Sequence, residues 1–393
     1  MSDSLRALQA AAASGDRDAQ FRLGLVLARA GDAGRALAWH RRAAAAGHVG
    51  AARELALFAL FGLAGPADPA AAMAGLEACL AAGDTESGYW LAVAKSAGGE
   101  AGTDAVQVLL ARAAAAGDAR ALRNLALFRA DAGDLAGGLA GLACAAAAGD
   151  DHSRRLLIRV GASDTPPADP MQAAQAVLPR PRPAPAPTVH CGDPRVATCD
   201  AVFSALDCAH LVELGRPTLQ PSQVVDPHSG RVLRDDYRSS SSTELAAFVE
   251  DPWALVLQQR LCDLLQAPLV NAEWLSLLHY APGQEYRPHR DYLPPPALRT
   301  PAGRQAGQRR HTVFAYLCDV EAGGGTAFPE LGITIEPRLG RAVVFDNLDG
   351  AGAPDPRTLH AGLPVQAGEK WLATLWLRER ALRRAPAATV SAP

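Results

Sequence analysis

Three residues in the second half of the chain have the types and the spacing of a metal site. His289 and Asp291 flank Arg290 just after a strand-like run, and side chains two positions apart in a strand point to the same face. His360 lies downstream in the segment RTLHAGLP. Two histidines and one carboxylate on one face of an iron ion leave positions open for a chelating 2-oxo acid and for dioxygen. The pattern therefore predicts an Fe(II) site with His289, Asp291 and His360 as its catalytic ligands.

The tripeptide His-Arg-Asp also occurs in the catalytic loop of protein kinases. That loop requires an asparagine five residues after its aspartate, and Pro296 stands at this position. The glycine run at 323–325 is not followed by a helical segment, so it predicts a tight turn between strands and not a phosphate-binding loop. The sequence therefore disfavours a kinase.

Lysine is rare in this chain, which makes its positions informative. Lys95 and Lys370 are the two lysines, and Lys370 follows His360 by ten residues. A 2-oxo acid that chelates the metal would leave a distal carboxylate, and this carboxylate needs a cation. The ordinary fate of a lysine is the solvent-exposed surface. The position after His360 favours the alternative, in which Lys370 is the buried partner of that carboxylate.

The elements that must position these residues are short segments of β character, separated by glycine and proline. They are WLSLLHYA (274–281), HTVFAYLCDV (311–320), GITIEP (332–337), RAVVFDN (341–347) and KWLATLWLRE (370–379). Short strands at this spacing predict a sandwich or a jelly roll. Residues 202–216 and 243–268 have helical character, so helices are expected beside the strands.

Residues 270–380 carry motifs that resemble the prolyl 4-hydroxylase branch of the 2-oxoglutarate–iron oxygenases. The motifs read LLHYAPGQEYRPHRDY, GQRRHTVFAYLCDVEAGGGTAFPE, PRLGRAVVFDN and DPRTLHAGLPVQAGEKWLATLWLRE, and the upstream YRSSSSTEL (237–245) resembles the serine-rich strand of that family. The resemblance implies a double-stranded β-helix, which is a jelly-roll barrel with the iron at its mouth. It also implies Fe2+, 2-oxoglutarate and O2, with L-ascorbate as the reductant.

The resemblance assigns further residues to the cosubstrate. Lys370 matches the residue that pairs with the C5 carboxylate of 2-oxoglutarate. Tyr280 and Thr326 match the hydroxyl groups that assist it, and Trp376 matches an aromatic residue beside it.

Substrate contacts are implied in the same way. Tyr286 and Arg309 match positions that line the peptide groove. Two residues depart from the family pattern: Gly325 stands where the family has an acidic residue, and His311 stands where a small residue is usual. Both are expected near the substrate side. His311 is expected to be a partly buried, hydrogen-bonded histidine and not a further ligand.

The first part of the chain repeats itself. A tag of the form AAxxGD or AAAAGH recurs with its glycine at 15, 47, 83, 117 and 149, at spacings of 32, 36, 34 and 32 residues. The alanine- and leucine-rich stretches between tags predict two helices per repeat, with Gly-Asp ending one helix and capping the next. This period predicts an α-solenoid of helix pairs and resembles Sel1-like and tetratricopeptide repeats. Such arrays usually bind protein; the alternative is a structural or dimerising appendage.

The expected organisation is an α+β multidomain protein. Residues 1–160 form the repeat domain, 161–189 a proline-rich extended linker, 190–383 the dioxygenase domain and 384–393 a disordered tail. The net charge of -3 gives no reason to expect nucleic acid or a membrane as partner. Seven scattered cysteines without a CxxC pair, and an N-terminus without a signal peptide, predict a cytoplasmic protein. No apolar run is long enough for a transmembrane helix.

The sequence favours a hydroxylase that acts on a peptidyl proline of a protein substrate, which the repeats would recruit. One rival is a hydroxylase of a free amino acid or other small molecule. Another is a repeat scaffold whose oxygenase domain only senses oxygen or 2-oxoglutarate. A small covered pocket would favour the small-molecule rival, and an open groove beside the metal would favour a peptide.

Overall fold

The structure is a computed structural model that describes residues 3–166, 185–222, 224–225, 232–233, 238–245 and 251–383. Contacts divide these residues into two compact units, one reaching to Asp150 and the other comprising residues 151–165 and 185–383. Most of the predicted linker (167–184) and the whole predicted tail (384–393) lie outside the described residues. None of the described helices combines the length and the apolar character that a membrane crossing requires.

The first unit consists of helices that pack sequentially against their neighbours. They are α1 (Asp3–Ala13), α2 (Arg17–Arg29), α3 (Ala33–Ala45), α4 (Val49–Phe61), α5 (Pro69–Ala81), α6 (Glu86–Lys95), α7 (Asp104–Ala115), α8 (Ala119–Asp131) and α9 (Leu135–Ala147). Alanines at their contacts, including Ala36, Ala51 and Ala121, are completely buried and let the helices approach closely. The predicted array of helix pairs is confirmed.

The glycine of each repeat tag ends one helix. All five tag glycines have φ between 80° and 100°, a conformation that residues with a side chain rarely adopt. The residue after the glycine then begins the next helix: the Asp16 carboxylate accepts hydrogen bonds from two backbone N–H groups of α2, and Asp118 does the same for α8. The Gly-Asp tag therefore works as the sequence predicts at these two helices, whereas after Gly83 the N-cap of α6 is Thr85, whose side chain forms no capping hydrogen bond.

The second unit is built on two antiparallel sheets. The larger has the order β1-β2-β13-β9-β16-β7-β6-β3 and the smaller β12-β11-β14-β8. The strands of the larger sheet are β1 (Thr188–Gly192), β2 (Arg195–Cys199), β3 (Gln220–Pro221), β6 (Ser241–Leu245), β7 (Leu275–Tyr280), β9 (Arg309–Tyr316), β13 (Ala342–Asp346) and β16 (Lys370–Arg378). Those of the smaller sheet are β8 (Tyr286–His289), β11 (Thr326–Phe328), β12 (Ile333–Ile335) and β14 (His360–Gly362). Two further pairs join β4 (Val224–Val225) to β5 (Val232–Leu233) and β10 (Ala322–Gly323) to β15 (Val365–Ala367).

One apolar core joins the two sheets. Phe314 and Leu372 of the larger sheet pack in the same cluster as Phe328 and Ile335 of the smaller one. Alternate residues of β7, β9 and β13 belong to this core, as the period of a β-strand requires. The predicted jelly roll is confirmed.

Helices flank the larger sheet. They are α11 (Ala205–Gly215), α12 (Pro252–Asp263), α13 (Pro295–Leu298) and α14 (Pro301–Ala306). The predicted helix at 243–268 is wrong at its start, because residues 243–245 belong to β6 and pair with β7. The helix begins only after Asp251, whose carboxylate accepts from the Ala254 N–H, and Pro252 occupies the first helical position.

A tenth helix, α10 (Asp151–Arg159), belongs with the second unit and packs on α11. The boundary between units therefore falls before the position near residue 160 that the sequence predicts. His152 Nε2 lies 3.1 Å from His210 Nδ1, and His210 Nε2 lies 3.1 Å from Asp251 Oδ1, all in buried positions. This chain of hydrogen bonds ties α10 to α11 and to the start of α12.

Candidate active site

The three predicted metal ligands converge in the structure. His289 ends β8 and His360 begins β14, and the two residues are direct partners across this antiparallel pair. Asp291 lies just beyond the end of β8. Nε2 of His289 is 3.8 Å from Asp291 Oδ1, and Nε2 of His360 is 3.7 Å from Asp291 Oδ2. One ligand atom from each side chain lies within 4.8 Å of the others, so a single metal ion can contact all three.

The second nitrogen of each imidazole fixes the ring. His289 Nδ1 donates to the Arg287 carbonyl at 2.8 Å, and His360 Nδ1 donates to the Thr358 carbonyl at 3.0 Å. In each case the acceptor is the carbonyl two residues earlier in the chain. Because Nδ1 carries the proton, Nε2 of both rings is left with a free lone pair directed at the Asp291 carboxylate.

Two residues behind Asp291 were not predicted from the sequence. The Thr312 hydroxyl donates to Asp291 Oδ2 at 2.8 Å, and the Asn347 amide donates to the Thr312 hydroxyl at 2.9 Å. Both residues are buried. They hold one carboxylate oxygen in place, as outer hydrogen bonds commonly do at metal sites. The available signal was the alternation of β9, which puts a polar Thr312 on the inward face with Phe314 and Tyr316.

The electrostatics of the site favour metal-binding protonation states. Burial, together with the neighbouring His360, lowers the pKa of His289 to about 3, although Asp291 opposes this shift. Burial alone would raise the pKa of Asp291, but His360, His289 and Arg309 outweigh it, so this pKa lies below its usual range. A neutral imidazole and an ionised carboxylate are therefore present at neutral pH, and these are the forms that bind a metal.

Lys370 is an unpaired cation inside the same barrel. It begins β16 opposite Tyr280 of β7 and is 1% exposed. Its Nζ has no hydrogen-bond partner within the described residues. Burial lowers the pKa of Lys370 to about 7, against a small opposing effect of Cys318. An unpaired buried ammonium is costly, so the surface-lysine alternative is wrong, and the position is one that an anion would satisfy.

The other predicted cosubstrate residues lie around Lys370. Tyr280, Thr326 and Trp376 line a small cavity of about 40 Å³ together with Lys370 and the three metal ligands. Nζ of Lys370 lies 5.2 Å from the ring centroid of Tyr280 and 5.6 Å from that of Tyr316. The Tyr316 hydroxyl is 2.8 Å from Thr326 Oγ1. Tyr316 is thus a hydroxyl group near this cavity that the sequence did not single out.

A larger open cavity of about 730 Å³ lies beside the small one. The two share Arg238, Tyr286, Asp291 and Trp376 as lining residues. A substrate in the larger cavity would therefore sit next to the metal ligands. Its volume lies in the range of cavities that accept ligands larger than a single amino acid.

Both predicted substrate residues line this larger cavity. The Tyr286 ring stacks on His289, with centroids 3.4 Å apart and planes 17° apart. Arg309 forms an ion pair with Glu273 at 2.7 Å, and its guanidinium lies 4.1 Å from the Trp376 ring centroid. Tyr286 and Arg309 are therefore held in fixed positions at the wall that faces the metal ligands.

The two departures from the family pattern lie elsewhere. His311 Nδ1 is 2.7 Å from Asp346 Oδ1, and the histidine is partly buried, as the sequence predicts. The carbonyl of Gly325 accepts from the Leu363 N–H at 2.8 Å. Neither His311 nor Gly325 lines either of the two cavities. The two cavities therefore give no support to their expected position near the substrate, which stays a prediction.

Known proteins resemble both parts of the chain. Residues 275–378 match the family model of the 2OG-Fe(II) oxygenase superfamily. The chain is 35% identical to Prolyl 4-hydroxylase 1 of Arabidopsis thaliana over 203 residues, which is 48% of this chain and 70% of that protein. The viral collagen prolyl hydroxylase of Paramecium Bursaria Chlorella virus-1 is 27% identical, with a TM-score of 0.36 over 47% of this chain and 95% of that one. A Sel1 repeat protein from Oxalobacter formigenes is 17% identical, with a TM-score of 0.32 over 44% of this chain and 76% of that one.

The sequence match covers the whole metal site. It extends over about half of the present chain and over more than two thirds of the Arabidopsis relative. The family model spans strands β7 to β16 and with them His289, Asp291, His360 and Lys370. The chain belongs to the prolyl 4-hydroxylase family of 2-oxoglutarate- and Fe(II)-dependent oxygenases.

Proposed function

We propose that this protein is an Fe(II)- and 2-oxoglutarate-dependent dioxygenase that hydroxylates a peptidyl proline. The observation that carries the proposal is one small cavity with two complementary receptors. Two imidazole nitrogens and a carboxylate oxygen form the first, and the unpaired ammonium of Lys370 forms the second. A dicarboxylate with a 2-oxo group would satisfy both, since one end chelates a metal and the other accepts a charge-assisted hydrogen bond.

The residues present fit the expected cofactors. His289, Asp291 and His360 are the donor set that Fe(II) takes in oxygenases, and they would hold the ion. Lys370 would hold the distal carboxylate of 2-oxoglutarate, with Tyr280 and Thr326 as hydroxyl partners and Trp376 beside the chain of the cosubstrate. Iron, when bound, supplies the activation of dioxygen, coupled to the conversion of 2-oxoglutarate into succinate and CO2. L-ascorbate, as reductant, is part of the same proposal.

The protein's own residues would bind and orient the cofactors and shield them from water. The Thr312 hydroxyl and the Nδ1 hydrogen bonds of the two histidines keep the donor atoms aimed at one point. Leu278, Phe314 and Leu372 line the small cavity and limit the access of water to it. Exclusion of water strengthens the interaction between Lys370 and an anion, because the local dielectric is low.

The open cavity favours a peptide over a free amino acid. Its volume of about 730 Å³ and its position beside Asp291 and Tyr286 suit several residues of an extended chain. Prolyl 4-hydroxylase 1 of Arabidopsis thaliana, which the chain resembles, is named for the hydroxylation of proline, and this supports proline as the reacting residue. Hydroxylation of a free amino acid or other small molecule stays the second candidate, and this substrate too would bind in the larger cavity, because 2-oxoglutarate would fill the small one.

We further infer that the helical repeats recruit the protein substrate. An array of helix pairs offers a broad surface, and linking it to the oxygenase unit raises the effective concentration of a bound target. A cytoplasmic location is part of the proposal. It is supported by the seven cysteines, all of which are free in the structure.

The test uses His360→Ala, with His279→Ala as the matched control. His279 lies on β7 and pairs with Glu369 at 3.1 Å, and it lines neither of the two cavities. With iron, 2-oxoglutarate and a proline peptide, the unmodified chain and His279→Ala should form succinate and add the mass of one oxygen atom to the peptide. His360→Ala should do neither, because two remaining ligands hold iron poorly. Full turnover by His360→Ala, with iron still bound, would remove the assignment of the metal site.

A further inference from the structure

Arg290 is a residue of the His-Arg-Asp motif that the metal site does not use. Its neighbours in the chain are both ligands, but Arg290 is exposed and lines the larger cavity. Its Nε donates to the Pro356 carbonyl at 3.0 Å, which anchors the guanidinium. Among the described residues no carboxylate forms an ion pair with it. Arg290 therefore presents an uncompensated positive charge to whatever occupies this cavity.

The other charges of the cavity do not cancel that of Arg290. Of the residues that the structure describes, five charged ones line it: Arg238, Glu244, Arg290, Asp291 and Arg309. The charge of Arg309 is matched by Glu273, which lies outside the lining, and a metal ion would neutralise Asp291. Within this described part of the lining, two arginines, Arg238 and Arg290, then face one exposed carboxylate, Glu244. The described lining therefore carries a net positive charge.

Arg238 places the second positive charge near the metal ligands. Its guanidinium lies 4.9 Å from the Tyr286 ring centroid, and Tyr286 in turn stacks on His289. Arg238 forms a β-bridge with Tyr286, the first residue of β8, and Arg290 directly follows the last. At about 3.3 Å per residue, Tyr286 and Arg290 lie roughly 13 Å apart along the backbone. An extended peptide of about four or five residues spans that distance, so one substrate can meet both arginines.

From these positions we propose that the larger cavity selects peptides with acidic residues next to the reacting residue, and that Arg290 determines this specificity. A carboxylate on the peptide would be the partner that Arg290 lacks, held by charge-assisted hydrogen bonds. A basic peptide would meet repulsion from both arginines, which discriminates against it. The identity of the reacting residue as proline rests on the proposed function, whereas the charge preference in binding does not.

The experiment compares three labelled peptides of the form Ala-Xaa-Pro-Xaa-Ala, in which Xaa is Asp, Asn or Lys. Binding to the full chain is measured by fluorescence anisotropy without oxygen, in the presence of Fe(II) and 2-oxoglutarate. Affinity should fall from Asp to Asn to Lys, by about two- to tenfold at each step. The difference should shrink as salt is added, because screening weakens exposed charge pairs. Equal affinity for the three peptides would overturn the proposal.

Arg287 supplies a matched control for Arg290. It lies on the same strand and is exposed, but it pairs with Glu285 and does not line the cavity. Arg290→Gln should reduce the ratio of Asp-peptide to Lys-peptide affinity at least several-fold, and Arg287→Gln should preserve the ratio. Equal effects of the two substitutions would show that the affinity ratio depends on net charge alone, and would contradict the specific role of Arg290.

Admitting oxygen separates this inference from the proposed function. If the peptides bind in the expected order but none gains oxygen, the proposed reaction fails and the charge preference stands. If the peptides are hydroxylated but bind without a charge preference, the proposed reaction stands and the inference about Arg290 fails.

Discussion

Replacing Lys370 by methionine should stabilise the protein and at the same time weaken its binding of 2-oxoglutarate. Lys370 is 1% exposed, and its Nζ has no hydrogen-bond partner among the described residues. Methionine has a similar length but no charge, so the substitution removes an unpaired buried cation without opening a large cavity. If Lys370 served only to stabilise the fold, its replacement would instead lower the free energy of unfolding.

The size of the effect on stability follows from the pKa of Lys370. Burial lowers this pKa from 10.5 to about 7. Each pKa unit corresponds to about 1.4 kcal/mol, so holding the charged form inside the protein costs about 5 kcal/mol at most. Since water entry and relaxation reduce such costs, Lys370→Met should raise the free energy of unfolding by about 1–3 kcal/mol at pH 6.

The sign of the pH dependence is fixed by the same pKa. The unfolded state binds the proton more strongly than the folded state, so the destabilisation is complete below pH 7 and disappears as the pH rises toward 10.5. The increase in the free energy of unfolding caused by Lys370→Met should therefore be smaller at pH 9 than at pH 6. Binding of 2-oxoglutarate needs the charged form, so its affinity should fall above pH 7, by up to about tenfold per pH unit. Lys370→Arg, which stays charged, should flatten that slope.

The assay is thermal unfolding followed by tryptophan fluorescence, together with titration of 2-oxoglutarate. Trp371 and Trp376 lie on β16 with Lys370 and report on the second unit. Loss of a buried charge-assisted pair should weaken 2-oxoglutarate binding by about 2–5 kcal/mol, or tens- to thousands-fold. Lys95→Met is the control, because Lys95 lies on α6 and pairs with Glu100. An unchanged 2-oxoglutarate affinity, or a lower melting temperature for Lys370→Met, would refute the reasoning.

Two further predictions concern the support of the site and the boundary between the units. Thr312→Val should weaken iron binding about 10- to 100-fold, because Asp291 loses a buried hydrogen bond; iron titration checks this. Deleting residues 1–150 should leave a folded unit that still turns over 2-oxoglutarate, as judged by succinate formation and circular dichroism. Deleting residues 1–165 should destabilise that unit by about 1–3 kcal/mol, because Glu213 then loses its charge-assisted hydrogen bonds with Arg155 and Arg159 on α10.

Each of these two predictions has a control. Thr334→Val alters an exposed threonine on β12 and should leave iron binding unchanged, so equal losses for Thr312→Val and Thr334→Val would contradict the role of Thr312. Equal melting temperatures for the two deletions would show that α10 adds nothing to the second unit.

The metal site could be predicted because its chemistry restricts residue types and spacing. His289 and Asp291 are two residues apart in a strand context, and only a few residue types bind iron. Lys370 stood out because lysine is so rare in this chain. The repeats could be predicted equally well, because the glycine of each tag must take a positive φ. These features depend on local sequence, where the rules of turns, caps and strands apply directly.

Features that depend on strand register could not be predicted. The Asn347 amide can donate a hydrogen bond to the Thr312 hydroxyl because β9 and β13 pair in one particular register. In this register Phe345 lies opposite Thr312. The helix predicted at 243–268 failed at its start because pairing of residues 243–245 with β7 overrides their helical character. No local pattern encodes which strand will be the partner of β6.

That α10 belongs to the second unit could not be predicted, for a related reason. The tag Gly149-Asp150 resembles the earlier tags, so the sequence predicts that the following helix continues the repeats. The helix instead packs on α11, where one of its contacts joins His152 to His210, a residue far away in the chain. Contacts at such a distance are visible only in three dimensions.

The position of α10 also changes the meaning of the proline-rich segment. Residues 151–165 and 185–383 belong to one unit, although the predicted linker separates them in the sequence. A proteolytic nick within residues 167–184 would therefore divide the oxygenase unit itself. The fragment with the repeats would keep α10, and the contacts of His152 with His210 and of Arg155 with Glu213 would hold it to the other fragment. The two pieces would behave as complementing halves of a split enzyme, joined without a covalent bond.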